Sequence, residues 1–136
     1  MPPILWLSGV LSAQAQAVTP STPGDLIITE FMAEPVVVPN YFGEWFEITN
    51  ASGRNLDLNG LTVSGSSGDA GFQISGSTTL AAGAYFVFGV ESDTIVNGGV
   101  SVDYEYSRSL LDLDHTGDTL TLSYGGTTID QVVWDT

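Results

Sequence analysis

Apolar and polar positions alternate with a period of two along most of the chain from Asp25 onward, which is the signature of half-buried strands. Leu26 to Met32 is a β-branched, apolar run that ends before Glu34-Pro35. In Trp45 to Thr49, Phe46 and Ile48 fall on one face and Trp45, Glu47 and Thr49 on the other. Leu56 and Leu58 flank Asp57, and Asn59-Gly60 marks a turn before Leu61-Thr62-Val63. Phe72 to Ile74 predicts a short strand after the Gly/Ser-rich loop 65–71, and Tyr85 to Phe88, apolar on both faces, a central one. Val100, Val102, Tyr104 and Tyr106 alternate with Ser101, Asp103 and Glu105 and predict a strand with the two tyrosines on the valine face. Leu120 to Tyr124 and Thr128 to Trp134 flank Gly125-Gly126, a strong hairpin signal. No window carries apolar residues at helical spacing over three turns. About eight short strands with regular turns predict an all-β, two-sheet antiparallel sandwich in one domain.

The N-terminal segment follows another rule. Ile4 to Leu11 is an apolar run, and Ala15-Gln16-Ala17 fits the small-x-small cleavage pattern with Val18 as the first mature residue. Residues 1–17 therefore read as a signal peptide, although the basic start is replaced by Met1-Pro2-Pro3; the alternative is an apolar tail. The run is too short to span a bilayer, which takes about 20 residues. Residues 18–24, with Pro20 and Pro23 among hydroxyl side chains, read as a linker, and the folded part is expected from Asp25. Export to the cell exterior or cell surface is the expected localisation.

Charge narrows the function. The 136 residues hold 16 acidic side chains, two arginines (Arg54 and Arg108), no lysine, one histidine and no cysteine, for a formal charge of -14. Nucleic acid and anionic lipid both need clustered cations, so neither is an expected partner. Thiolate metal sites, disulfides and cysteine nucleophiles are absent. Seven of the acids, Glu91, Asp93, Asp103, Glu105, Asp112, Asp114 and Asp118, lie within residues 91–118, while residues 61–90 contribute only Asp69. An acidic end of this kind is expected to respond to salt or to calcium.

The local chemistry is modest. Asp112, Asp114 and Asp118 sit in a segment with oxygen ligands and a glycine at calcium-loop spacing. Ser123 stands where the bidentate glutamate would be, and both flanks read as strands, so a hairpin turn whose Asp and Thr side chains bond backbone amides competes with a calcium site. On one strand, Glu44 and Glu47 would face opposite ways and could not converge as a glycosidase pair. His115 beside Asp114 lacks a strained nucleophile motif for a triad. No catalytic residue and no organic cofactor are assigned. Trp45, Glu47 and Trp134 are the candidate binding surface, against a packing role for the two indoles.

Taken in order, Ile28-Thr29-Glu30, Met32 and Pro35, then Glu44-Trp45-Phe46-Glu47-Ile48-Thr49-Asn50, then Leu56-Asp57-Leu58-Asn59-Gly60-Leu61, resemble the opening of lamin tail domains, with Leu61 where the family often has tryptophan. Phe72-Gln73-Ile74, Leu80 to Tyr85, Gly117 to Leu122 and Ile129 to Val132 continue the order, so the resemblance covers about residues 25–136. It implies an immunoglobulin-like β-sandwich, shared by nuclear lamins and by secreted or surface-attached bacterial proteins, in which it serves as an accessory module. Glu47 is a recurring position of that motif, expected to bond a neighbouring loop. Family members usually continue past the point where this chain reaches Trp134-Asp135-Thr136, which implies a missing final strand and an open edge, with the chain either a fragment of a longer protein that carries further domains or completed by a partner. The expected function is a non-catalytic module that tethers or positions a larger protein through contacts with a protein or cell-surface component. The alternatives are a calcium-dependent glycan-binding module, or an accessory part of a metal-dependent nuclease or phosphoesterase.

Overall fold

The computed structural model describes residues 15–66 and 68–135. Residues 1–14, most of the expected signal peptide, lie outside them. Ten strands and one helical turn follow in the order β1 (Leu26–Met32), α1 (Asn40–Gly43), β2 (Trp45–Asn50), β3 (Leu56–Asp57), β4 (Thr62–Ser64), β5 (Phe72–Gln73), β6 (Thr79–Leu80), β7 (Tyr85–Gly89), β8 (Tyr104–Glu105), β9 (Gly117–Tyr124) and β10 (Thr127–Asp135). Two four-stranded sheets, β1-β2-β7-β8 and β10-β9-β4-β5, enclose the core, and β3 pairs with β6 as a separate ribbon.

The alternation seen in the sequence sets the faces. Phe46 and Ile48 of β2 are buried while Trp45, Glu47 and Thr49 are half-exposed. Leu120 and Leu122 of β9 and Val63 of β4 close the core from the second sheet. Phe46 stacks on Phe88 with centroids 4.6 Å apart, and Phe72 reaches across to stack on Tyr106 at 5.2 Å. Burying each such ring contributes about 1.5–3 kcal/mol, so this aromatic column is a main source of stability. The β9–β10 hairpin turns at Gly125 and Gly126, both with positive φ, as a two-residue hairpin turn requires.

Three expectations change. Residues 100–103 are not strand, and only Tyr104–Glu105 pairs, parallel to β7, so the sheet is not purely antiparallel. The chain reaches β8 by a crossing loop rather than a hairpin, and Gly89 makes room for it, since a Cβ there would sit 2.6 Å from a methyl of Val102. Residues 18–24, expected as a free linker, are tied down. Val18 bridges to Leu56, Pro20 is buried, and the Gly24 amide donates to the Ile129 carbonyl at 2.8 Å. The open edge expected at the C-terminal strand is β10, but its first half is met by β1 of the facing sheet, where the Ile28 amide donates to Asp130 Oδ2 at 2.7 Å.

Candidate functional site

At the end of the first sheet where Met32 pairs with Trp45, the chain leaves β1 into Pro35-Val36-Val37-Val38, turns through α1 and enters β2. These segments and the loop Asn97 to Val100 line an open apolar groove of about 220 Å3, with Met32 and Trp45 as its floor. Gly43 lets the 35–38 segment lie against α1: a Cβ there would stand 2.5 Å from a Val38 methyl and 2.7 Å from the Pro35 ring. Val36 is 94% exposed, Val37 84% and Ile95 91%, and Tyr41 on α1 is also exposed. Single exposed apolar residues are ordinary, but Val36 and Val37 are strongly exposed while lining an apolar groove, and exposed apolar surface of that kind marks an interaction site.

The far rim is built by one side chain. Buried Asn97 donates from Nδ2 to the carbonyls of Glu91 and Val100, both at 2.8 Å, and accepts at Oδ1 from the amides of Gly99 and Val100. All four bonding positions of one amide side chain therefore hold the loop 91–100 in shape.

Behind the groove, Glu44 follows Gly43 and is fully buried. Its carboxylate accepts from the Tyr106 hydroxyl at 2.7 Å and from Arg108 Nε at 3.5 Å, while Arg108 also holds Asp112 at 2.6 Å. Burial pushes the Glu44 carboxyl up to about 7; the Tyr106 bond, the Leu113 amide and Arg108 oppose that rise without cancelling it, and Asp112 adds to it. Burial also raises the Tyr106 phenol, as does the neighbouring Glu44 charge. Tied to Tyr106, just past β8, and to the 108–113 segment, Glu44 anchors the start of β2 to the core.

The three candidate calcium ligands each have a partner within the chain. Asp112 is paired with Arg108, Asp114 Oδ1 accepts from the amide and hydroxyl of Thr116, and Asp118 accepts from the amides of Ser66, Asp114 and Thr119. Among the described residues, no three His, Asp or Glu side chains are grouped so as to hold a metal ion. The segment is a turn whose carboxylates bond backbone amides. His115 lies 3.9 Å from Glu34.

Trp134 is not brought onto the face of β2 that Trp45 and Glu47 share. Trp45 floors the groove, Glu47 accepts a 2.7 Å bond from the Thr29 hydroxyl on the same sheet face, and Trp134 belongs to the other sheet. Trp134 stacks on Phe31 at 4.2 Å and donates its indole N–H to the Asp114 carbonyl at 2.8 Å, a packing role. Glu44 and Glu47 do not converge, as their spacing implied; Glu44 precedes β2, and only Glu47 lies on the outer face.

A family model, the Lamin Tail Domain, matches the chain over residues 19–136. The chain belongs to the lamin tail domain family. None of the curated proteins matches it. The match begins at Thr19, in keeping with the way residues 18–24 are bound into the fold. As a lamin tail domain the chain has an immunoglobulin-like sandwich of a kind that is generally non-catalytic and serves interaction. Among the described residues no helix is long and apolar enough to cross a membrane.

Sequence reasoning passed over Val36 to Val38, Ile95 and Asn97 of this lamin tail domain. One signal was present: three consecutive valines between Pro35 and Pro39, in a segment whose prolines disfavour a strand, have no regular element in which to bury themselves.

Proposed function

We propose that this lamin tail domain is a non-catalytic docking module that holds or positions a larger protein outside the cell, through the apolar groove beside Trp45. The supporting observation is the groove with Val36 and Val37 exposed in its lining and Ile95 exposed two residues before Asn97, on the loop that closes it. Those side chains are mostly exposed, and burying them fully against a partner would contribute up to about 1.5–3 kcal/mol each. The groove is smaller than the roughly 300–1,000 Å3 of a small-molecule pocket, which favours a side chain of a protein or surface component over a free metabolite. Export is supported by the apolar segment and the Ala15-Gln16-Ala17 pattern.

A photo-crosslinking residue at Val37 should capture a partner that binds again when purified. Trp45→Ala and Val37→Ser should weaken that reconstituted complex at least tenfold. A partner held equally by both variants would move the docking surface elsewhere.

A further inference from the structure

We infer that the groove is built for an extended segment of another protein that presents one aromatic or branched apolar side chain with Lys or Arg within two or three residues of it. The inference rests on the docking reading and adds the chemistry of the occupant. Size comes first. An engineered cavity of about 150 Å3 holds a benzene ring, so 220 Å3 open to solvent takes one aromatic or branched side chain and not a helix face.

Charge then selects the flanks. Glu34 immediately precedes the lining residue Pro35, and it is exposed, with the His115 imidazole 3.9 Å away. Across the groove, Glu91 and Asp93 belong to the loop that Asn97 closes, and Glu105 is bound to that loop through the amide and hydroxyl of Ser92. Neither arginine offsets these acids at the rim. Arg108 is held by Glu44 and Asp112 behind the groove, and Arg54 pairs with Asp25, beside the opposite end of β1. An apolar cleft with acidic loops on both sides is complementary to an apolar anchor between basic residues.

The Debye length is about 8 Å at physiological salt, and an extended chain advances about 3.3 Å per residue, so only cations two or three residues from the anchor feel the rim. A second copy of this chain fails the requirement: it carries -14, no lysine and two arginines, both already in ion pairs. An anionic lipid surface fails for the same reason.

The test is a library of nine-residue peptides with a central Phe or Leu and randomised flanks, selected on the immobilised protein and in parallel on Trp45→Ala and Val37→Ser. Val37 is exposed, so its variant keeps the fold. Enrichment of Lys and Arg within three residues of the anchor is expected. The best peptide should bind three- to thirtyfold more tightly than its Ser-flanked counterpart. The advantage should shrink in 0.5 M salt and fall with Glu34→Gln. Selected peptides with neutral or acidic flanks, lost on Trp45→Ala, would overturn the basic occupant and leave the docking surface standing. No enrichment over the two variants would remove both readings. Retention of the protein by zwitterionic vesicles in the absence of peptide selection would replace the peptide by a lipid surface.

Discussion

Asp130 Oδ2 accepts the Ile28 backbone amide at 2.7 Å, and each residue adjoins a bulge: the β1 register shifts between Ile28 and Glu30, and that of β10 between Thr128 and Asp130. One carboxylate thus joins the edges of two sheets where both ladders are interrupted. The β10 bulge also turns Ile129 into the core, where it is 1% exposed. The joint covers part of an edge that would otherwise be open to another strand.

Asp130→Ala should therefore cost about 1–3 kcal/mol, the penalty of leaving a part-buried amide unpaired, and Asp130→Asn should cost less because it keeps an acceptor. Urea unfolding midpoints at pH 7 measure both. An alanine variant as stable as the wild type would mean that the sheet edges are held by packing alone, through Trp134 on Phe31.

Glu44 makes stability fall as pH rises. Its carboxyl goes from 4.5 unfolded to about 7 folded, chiefly through burial, so folding takes up a proton in that window. The stabilisation is fully present below 4.5 and is lost as pH climbs through 7, with an upper size of about 3 kcal/mol, the weight of one buried ring. Asp69, raised by burial and by Asp118 and Asp112, has the same sign. Asp57, held low by the Asn59 and Thr78 amides, has the opposite sign, as does Asp25. Burial raises the Asp25 carboxyl, but the Ser21 and Thr22 amides together with Arg54 outweigh it. Their stabilisation is present above 3.8 and is lost as pH falls through their lowered folded values. Melting temperature should peak near about pH 5 and decline toward pH 8. Glu44→Gln keeps an acceptor for Tyr106 and should flatten that decline; a variant whose profile parallels the wild type would locate the slope elsewhere.

The sheets were legible in the sequence because alternation reports burial directly, as at Phe46 and Ile48 or Leu120 and Leu122. The 100–103 segment alternates equally well and is not strand; at its junction with β8 the Val87 amide of β7 is taken by the Asp103 carboxylate, where a continuing ladder would need a backbone carbonyl. The groove was hidden for another reason. It forms only once the 35–38 and 97–100 segments are brought together, and no local pattern encodes that distance. The acids have a use that their density does not show. Their density between residues 91 and 118 suggests a cation site, yet all seven accept bonds from nearby donors, as Asp103 does from Val87, Glu105 from Ser92 and Asp118 from three amides. Much of the negative charge therefore closes loops, a use that composition does not distinguish from a free acidic surface.

Asn97 is the clearest case of a side chain replacing secondary structure. Asn97→Ala removes four bonds from the 91–100 loop and leaves two carbonyls and two amides to find water. The expected cost is about 1–3 kcal/mol, with the Gly99 and Val100 amides exchanging hydrogen faster than β2 or β9 amides. Partner binding at the groove should weaken beyond what the stability loss explains, since the rim itself loosens. Unchanged exchange at Gly99 and Val100 would show that Val100 packing holds the loop without the amide.

A charge of -14 on 136 residues repels itself, and salt should relieve it. Raising sodium chloride from about 10 to 500 mM shortens the Debye length from roughly 30 Å to a few Å, so melting temperature should rise by a few degrees. Calcium separates two origins of that rise. Asp112 is already neutralised by Arg108, while Asp114 and Asp118 are occupied by Thr116 and by three backbone amides. A bound ion would have to break those bonds before it formed its own. At constant ionic strength, millimolar calcium should therefore add nothing beyond magnesium, by calorimetry or by melting. A calcium-specific shift that disappears in Asp114→Asn would show that the turn can reopen into a metal site, and the carboxylates would then have to be read as ligands first and loop closers second.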